Sequence, residues 1–321
     1  MQHRHQPFGG TASLRPNFAQ QKGIAYCRNL SVVSNNSSAL RALKKPAKAA
    51  YGPATRLHIF IMPNRPVSSQ SLPVALVTGA SDRIGAAIAH ALSRAGHAVI
   101  IHYRSNADGA RAVRDDIRAN GGQAELIKAD IAKRSQRAGL IAKAAGHFGP
   151  LTVLINNASM FDPDSARDVD ETLWDQHFAV HAEAPIFLAR DFANQLPEGA
   201  HGNIINLVDE RVLHPTPAYF SYSLSKSVLW SATRTLAQSL APSIRVNAIG
   251  PGPVLPHSRQ SKAEFDRSVA ALPLQRNAGP DAIADGVIML LNTPSMTGQM
   301  LALDGGEHLE YLPKSKPTPR S

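Results

Sequence analysis

Val74-Ala75-Leu76-Val77-Thr78-Gly79-Ala80-Ser81-Asp82-Arg83-Ile84-Gly85 decides how the rest of the chain is read. Four apolar residues make a short buried strand, Gly79 and Gly85 bracket a polar turn, and from Ile84 to Ala95 the apolar positions return at helical spacing. A strand that runs through a glycine turn into a helix gathers backbone N–H groups at the positive end of that helix. Such a place suits a phosphate. An ordinary strand-to-helix turn would look the same in isolation, so the neighbouring segments must decide.

They decide by repetition. Apolar, β-rich runs occur at Val74–Thr78, Ala98–Tyr103, Ala124–Ala129, Thr152–Asn156, Asn203–Val208, Ile244–Ile249 and Met300–Leu303. Helix-length segments such as Ile84–Ala95 and Ala107–Asn120 separate them. Strands that are apolar almost throughout are buried on both faces, which a parallel sheet achieves. Right-handed crossovers then predict an α/β fold: a single doubly wound, parallel, seven-stranded, Rossmann-like sheet with helices on both faces. Ligands bind at the carboxyl ends of its strands.

The remainder of the chain narrows the function. Its 321 residues, 43% hydrophobic and 18% charged, can bury one large core and are neither collagen-like nor disordered throughout. The single Cys27 excludes an internal disulfide framework and a thiol–zinc cluster, and no metal is expected. No apolar run approaches the ~20 residues of a membrane span, so no membrane partner is expected. The formal charge of +10 sits at one end: residues 1–70 hold ten Lys/Arg and no acid, and the remaining 24 basic and 24 acidic groups cancel. That is a tail, not a nucleic-acid-binding face.

Residues 1–70 therefore read as a disordered basic extension. It is either an organelle leader or an in-frame extension upstream of a true start at Met62. The second is preferred, because Leu40–Ala50 offers only a short, Pro-broken amphipathic stretch. The expected location is cytoplasmic, or organellar if the extension is a transit peptide. The Rossmann-fold domain is expected over 71–309 and a flexible tail over 310–321.

Charge also selects the dinucleotide. The second strand ends His102-Tyr103-Arg104-Ser105, without the acid that usually accepts from the ribose hydroxyls of NAD. A guanidinium and a hydroxyl suit a 2′-phosphate, and Arg83 could reach the same region, so NADPH is expected. Arg104 could also be a solvated strand-end charge. Gly79, Ser81, Arg83, Ile84 and Gly85 then join His102–Ser105 as cofactor contacts. Asp130 is placed for the adenine, and Asn156, Asn157, Ala158 and Ser159 for the cleft. Asp and Asn also favour turns on their own account.

After the fifth strand come Asp209 and then Tyr222-Ser223-Leu224-Ser225-Lys226. Residues four apart share a helix face, so Tyr222 and Lys226 project together, and an ammonium beside a phenol lowers its pKa towards a useful acid. The glycine turn, Asn156-Asn157-Ala158, the Tyr222/Lys226 pair and Pro251-Gly252 occur in an order that resembles the short-chain dehydrogenase/reductase family over about residues 72–308. The resemblance implies a hydride-transferring enzyme with Tyr222 as catalytic acid. It also implies Lys226 on the nicotinamide ribose, Pro251 and Gly252 at the cofactor, and a homotetramer built partly from the Tyr-bearing helix.

Three positions depart from the general family pattern. Arg83 replaces a glycine, Asp209 a serine, and His181 stands where an asparagine is expected. These departures are similar to the pteridine reductase branch, which includes dihydromonapterin reductases. That branch also carries an aromatic after Asn-Asn-Ala-Ser, here Phe161. The resemblance implies a pterin stacked between Phe161 and the nicotinamide, with Ser159, Asp209 and Tyr222 as further substrate contacts. It also implies that Asp209 works with Tyr222 and Lys226 in moving a proton to a ring nitrogen.

The chemistry fits that substitution, because a C=N bond becomes more electrophilic when its nitrogen is protonated. Asp209 could instead cap a turn or pair with Arg211, His181 could relay protons or pack in a helix, and Phe161 could be loop-to-core packing. The expected activity is NADPH-dependent reduction of a dihydropterin such as dihydromonapterin or dihydrobiopterin, or of dihydrofolate. A generic carbonyl or 3-oxoacyl reductase and a non-catalytic NADPH-binding protein are the alternatives. The segments Met160–Glu171 and Pro253–Val269 are expected to flank the substrate.

Overall fold

The computed structural model describes residues 72–257 and 259–309. The proposed extension, the Met62 start and the 310–321 tail lie outside them. Seven strands form one sheet: β1 (Val74–Val77), β2 (Ala98–Tyr103), β3 (Ala124–Lys128), β4 (Leu151–Asn156), β5 (Gly202–Leu207), β6 (Ile244–Pro251) and β7 (Met300–Leu303). Their spatial order is β3-β2-β1-β4-β5-β6-β7, with every pairing parallel, as expected. The order reverses between β1 and β4. Crossovers leave those two strands towards opposite faces, and a crevice opens beyond their carboxyl ends.

Side chains alternate along a strand, and the two faces show it. Ala75, Val77, Val99 and Ile101 pack against α1 (Arg83–Arg94), α2 (Ala107–Ala119) and α9 (Gly279–Leu291) through Ile88, Leu92, Val113, Ile117, Ile283 and Val287. Val74, Leu76, Ala98 and Ile100 belong to the other face, covered by α4 (Leu140–Phe148), α6 (Ala184–Gln195) and the distal end of α7 (Phe220–Ser239). The remaining helices are α3 (Arg134–Arg137), α5 (Glu171–Phe178) and α8 (Lys262–Ala271). Among the described residues no helix is long and apolar enough to cross a membrane.

Two local irregularities position the site. Between α5 and α6 the helix widens into a π turn over Ala179–Glu183. Pro185 has no N–H to offer the carbonyl four residues earlier, that of His181, and a helix deprived of that bond opens there. The second lies in the sheet. Asn156, expected in the cleft, turns inward, and its amide donates to Asn206 Oδ1 (2.8 Å) while Asn206 donates to Thr233 Oγ1 (2.8 Å). This buried chain ties β4 and β5 to α7.

A buried donor stripped of its acceptor loses about 1–3 kcal/mol. Asn206→Ala is expected to lower the unfolding free energy by at least that amount, measured by urea titration, since it strands Asn156 and also leaves a cavity.

Candidate active site

The turn after β1 is stitched to the end of β4. Thr78 Oγ1 accepts from the backbone N–H groups of Asn157 (2.9 Å) and Ala158 (3.0 Å), and Asn157 Nδ2 donates to the carbonyls of Thr78 and Gly79. The approach is close enough to require glycine. A Cβ on Gly79 (φ +63°) would lie 2.9 Å from Ala158 Cα, and one on Gly85 only 2.2 Å from the Gly79 carbonyl. The turn thus exposes backbone where a phosphate would sit.

A hollow of about 350 Å³ opens over this turn. Gly79, Ser81, Arg83, Ile84 and Gly85 line it from the turn, and His102, Arg104 and Ser105 from the end of β2. Asp130 follows β3, and Asn157, Ala158 and Ser159 follow β4. Tyr103 is the exception: it packs against the apolar cluster under α1 and α2 and does not line the hollow. His102 is buried and braces the turn, accepting from the Gly79 N–H at Nδ1 (3.1 Å) and donating from Nε2 to the Ala129 carbonyl (3.1 Å). Burial holds its pKa down at about 4, so it stays neutral.

Arg83 departs from the expectation that it would turn towards the 2′-phosphate. Its guanidinium donates to the carbonyls of Pro256 (3.1 Å) and Leu255 (3.3 Å), fastening the loop after β6 to the glycine turn. The backbone explains why a glycine is usual there: Arg83 has φ +50°, a left-handed conformation that glycine adopts without penalty. The two bonds to the loop offset some of that strain.

A second hollow, of about 770 Å³, adjoins the first and shares Arg83, Ile84, Arg104, Asn157, Ser159 and Met160 with it. Phe161, Asp209, Tyr222, Lys226, Pro251 and Gly252 line it. The Tyr222 hydroxyl donates to Asp209 Oδ2 at 2.7 Å, both groups being buried. Asp209 Oδ1 accepts from the backbone N–H and the guanidinium of Arg211, each at 3.0 Å. The turn-capping and phenol-facing readings of Asp209 are therefore both realised, one on each oxygen.

Lys226 shares the Tyr222 face as its spacing predicts, with Nζ 5.6 Å from the ring centroid and donating to the Leu207 carbonyl (2.8 Å). The expected acidification of the phenol does not follow. Burial and the Asp209 carboxylate push Tyr222 well above the ordinary tyrosine value, and the cation that opposes them is Arg211. Burial brings Lys226 itself down to about 8.

His181 sits in the π turn, 1% exposed, with both ring nitrogens engaged. Ser225 Oγ donates to the Tyr222 carbonyl (2.7 Å), so it receives the proton of His181 Nδ1 (2.9 Å). Nε2 then accepts from Met160 N–H (3.1 Å) and Ser159 Oγ (3.0 Å). The ring hydrogen-bonds Ser225, Ser159 and Met160 and not the Tyr222 hydroxyl or Lys226. It holds the Ser159–Met160 backbone against the Tyr-bearing helix.

Phe161 faces the hollow and also stacks on Tyr219, 4.0 Å between centroids at 11°, with Tyr222 edge-on at 4.8 Å. The loop bearing Phe161 is bound to the loop after β6 by Arg259, which donates to Asp162 (2.9 Å) and to the Phe161 carbonyl. The two segments expected to flank the substrate are thus clasped to each other.

A family profile described as enoyl-(acyl carrier protein) reductase matches residues 79–308. The chain belongs to the short-chain dehydrogenase/reductase family of oxidoreductases. Two solved structures of this family are similar to it: alternative dihydrofolate reductase 1 (FolM) from Brucella canis and from Brucella suis, each complexed with NADP. They are 44% and 46% identical, each with a TM-score of 0.73, and the matches cover 77% and 76% of this chain and 97% of each of those. Pteridine reductase 1 of Leishmania tarentolae is 32% identical over 75% of this chain and 98% of its own length.

Some residues at this short-chain reductase site carried no usable signal in the sequence. Tyr219 lies one turn before Tyr222, Arg259 belongs to a polar loop, and Glu307 enters the second hollow from the far end of the chain. Glu210 is the least expected. It is 3% exposed, and burial together with Asp209 lifts its carboxyl to about 8.

The folded state therefore binds a proton at Glu210 that the unfolded chain, titrating near 4.5, has already released. Stability is expected to fall as pH rises from about 4.5 through about 8. Glu210→Gln should flatten that decline, and urea unfolding at pH 5 and pH 8.5 measures it: the variant gains on the parent at the higher pH.

Proposed function

We propose that the chain is an NADPH-dependent reductase of pteridines, acting on a dihydropterin or on dihydrofolate. The observation that carries the reading is the 2.7 Å pair between the Tyr222 hydroxyl and Asp209 Oδ2, facing a hollow that Phe161 also lines. A carboxylate in this place is poorly suited to polarising a ketone, whose oxygen it would repel. It is well suited to delivering a proton to a ring nitrogen.

The first hollow fits the cofactor on its own chemistry. Backbone approaches where Cβ atoms would collide, and Arg104 and Ser105 stand at the end of β2, where they could take a 2′-phosphate, with the Asp82 carboxylate nearby held by Asn106 (3.1 Å). NADP bound to the two Brucella proteins supports the same reading. Bound NADPH supplies a hydride to the carbon of the C=N bond.

The chain's own residues manage the proton. Tyr222 resists ionisation, so a lone proton on the Tyr222/Asp209 pair stays on the phenol. A second proton arriving from water lodges on the Asp209 carboxylate. Tyr222 then passes its proton to the ring nitrogen as it takes the one from Asp209, and the pair returns to its one-proton form without creating a phenolate beside a carboxylate. Lys226, charged at pH 7 and anchored on Leu207, has further N–H groups that would hold the nicotinamide ribose. Phe161 offers the pterin a face, and Ser159 contributes where the two hollows meet. The homotetramer belongs to the same reading, and Leu224 and Val228, exposed on α7, are side chains that it would cover.

The reading is tested by NADPH oxidation against dihydropterins, dihydrofolate, simple ketones and an enoyl thioester. Turnover of a pteridine is expected. Good turnover of a ketone or enoyl thioester with none of any pteridine rejects the substrate and leaves the family standing. Tyr222→Phe and Asp209→Asn should each lower kcat by about 10²–10⁴-fold with NADPH binding retained, and kcat should fall with rising pH because the step consumes a proton.

Arg104→Ala isolates the cofactor choice. The loss of a charged hydrogen bond to phosphate, about 1.5–3 kcal/mol, should weaken NADPH binding some tenfold or more and leave NADH binding nearly unchanged, read by nucleotide fluorescence.

A further inference from the structure

Asp209 can act on Tyr222 only if its carboxylate is held in one orientation, and the residue holding it has so far appeared only as a neighbour. Arg211 belongs to the short 3₁₀ turn Glu210–Val212 that follows Asp209. Its backbone N–H and its guanidinium both bond Oδ1, which leaves Oδ2 alone towards the phenol. The guanidinium carbon lies 5.5 Å from the Phe161 centroid and 5.7 Å from that of Tyr219. Two rings 4.0 Å apart can be nearly equidistant from a third group only if it stands at their rim. Arg211 therefore borders the acid on one side and the stacking platform on the other, and it lines the larger hollow.

Its surroundings explain why a guanidinium is needed. Glu210 Oε1 lies 3.6 Å from Arg211 on the same turn, and Asp209, Tyr222 and Glu307 also act on its charge. Beyond them, Asp304 and His214 face Glu307, His308 faces Asp304, and Lys226 faces Asp209. Glu210 keeps its proton up to about pH 8, so the carboxylate that the guanidinium holds is Asp209. Arg211 Nε is buried without a hydrogen-bond partner, so charge and the rim of the ring stack hold the group in place rather than a full set of hydrogen bonds.

We propose that Arg211 is a positioning residue of the reaction: it clamps one oxygen of Asp209 so that the other meets Tyr222, and it couples this acid pair to the ring platform that receives the substrate. The proposal rests on the pteridine-reductase reading for the identity of the step, though not for the geometry.

Arg211→Gln removes the charge and keeps a polar side chain, and Arg211→Lys keeps the charge and loses the fork. With NADPH and the pteridine, Arg211→Gln should lose about 100-fold in kcat, the scale of a misplaced group, while NADPH binding stays within threefold. The limb on which rate falls with rising pH should move upward by more than one pH unit, because protonated forms gain when a neighbouring cation is removed. Arg211→Lys should recover at least tenfold of the loss.

A crystal structure of Arg211→Gln reads the same claim without turnover: the Asp209 carboxylate should leave Tyr222. An unmoved Tyr222–Asp209 pair, a kcat within threefold of the parent, or a loss with an unshifted limb and no recovery by lysine overturns the proposal. If the parent reduces a ketone and no pteridine, the substrate reading fails, and the Arg211→Gln comparison is then made on that ketone.

Discussion

A phenol and a carboxylate, both buried and 2.7 Å apart, set the terms for everything around them. Such a pair is stable only with its proton located and its remaining lone pairs occupied. Arg211 occupies one oxygen of the carboxylate, Lys226 supplies a second buried cation, and His181 holds the helix turn that carries Tyr222 through Ser225. Burial lowers the pKa of Lys226 and of His181, while Asp209 and its neighbours raise that of Arg211 against the same effect. The site is a polar network assembled inside an apolar fold, and its members are fixed by one another as much as by the sheet.

The sheet contributes the frame. Because β1 and β4 send their chains to opposite faces, the glycine turn and the Asn157–Ser159 segment meet at one crevice, with β5 and β6 bringing Asp209 and Pro251 alongside. The loops then add what the frame lacks. Arg83 and Arg259 fasten the loop after β6 to the glycine turn and to the Phe161 loop, so the loops that line the second hollow are cross-braced.

The strands and their parallel sheet were legible because burial on both faces writes an unbroken apolar run, and that signal is local. The Tyr222/Lys226 pair was legible for a similar reason, being a spacing on one helix. What the spacing could not convey was the field acting on the phenol, which depends on Asp209 and Arg211 reaching it from another element. Tyr103 was misplaced because residues adjacent along a strand face opposite ways, so that His102 and Arg104 on either side of it reach the hollow and Tyr103 does not. Arg83 was misdirected because a long side chain on a left-handed backbone can leave by either side of the turn. Its partners, Leu255 and Pro256, are carbonyls, which no residue name announces.

The widened helical turn at Ala179–Glu183 amounts to one residue more than an α-helix would use. Everything beyond it is consequently rotated by about a quarter turn relative to an unbroken helix. Glu183 owes to that offset its reach to Arg134 and Arg137, and Phe187 its place beside Arg137 and Arg190. A single-residue deletion there would straighten the helix and unpick contacts that adjoin the first hollow, which Val180 lines together with Ile131, whose carbonyl Arg137 holds. Sequence length in this segment is thus a structural quantity, constrained to the residue.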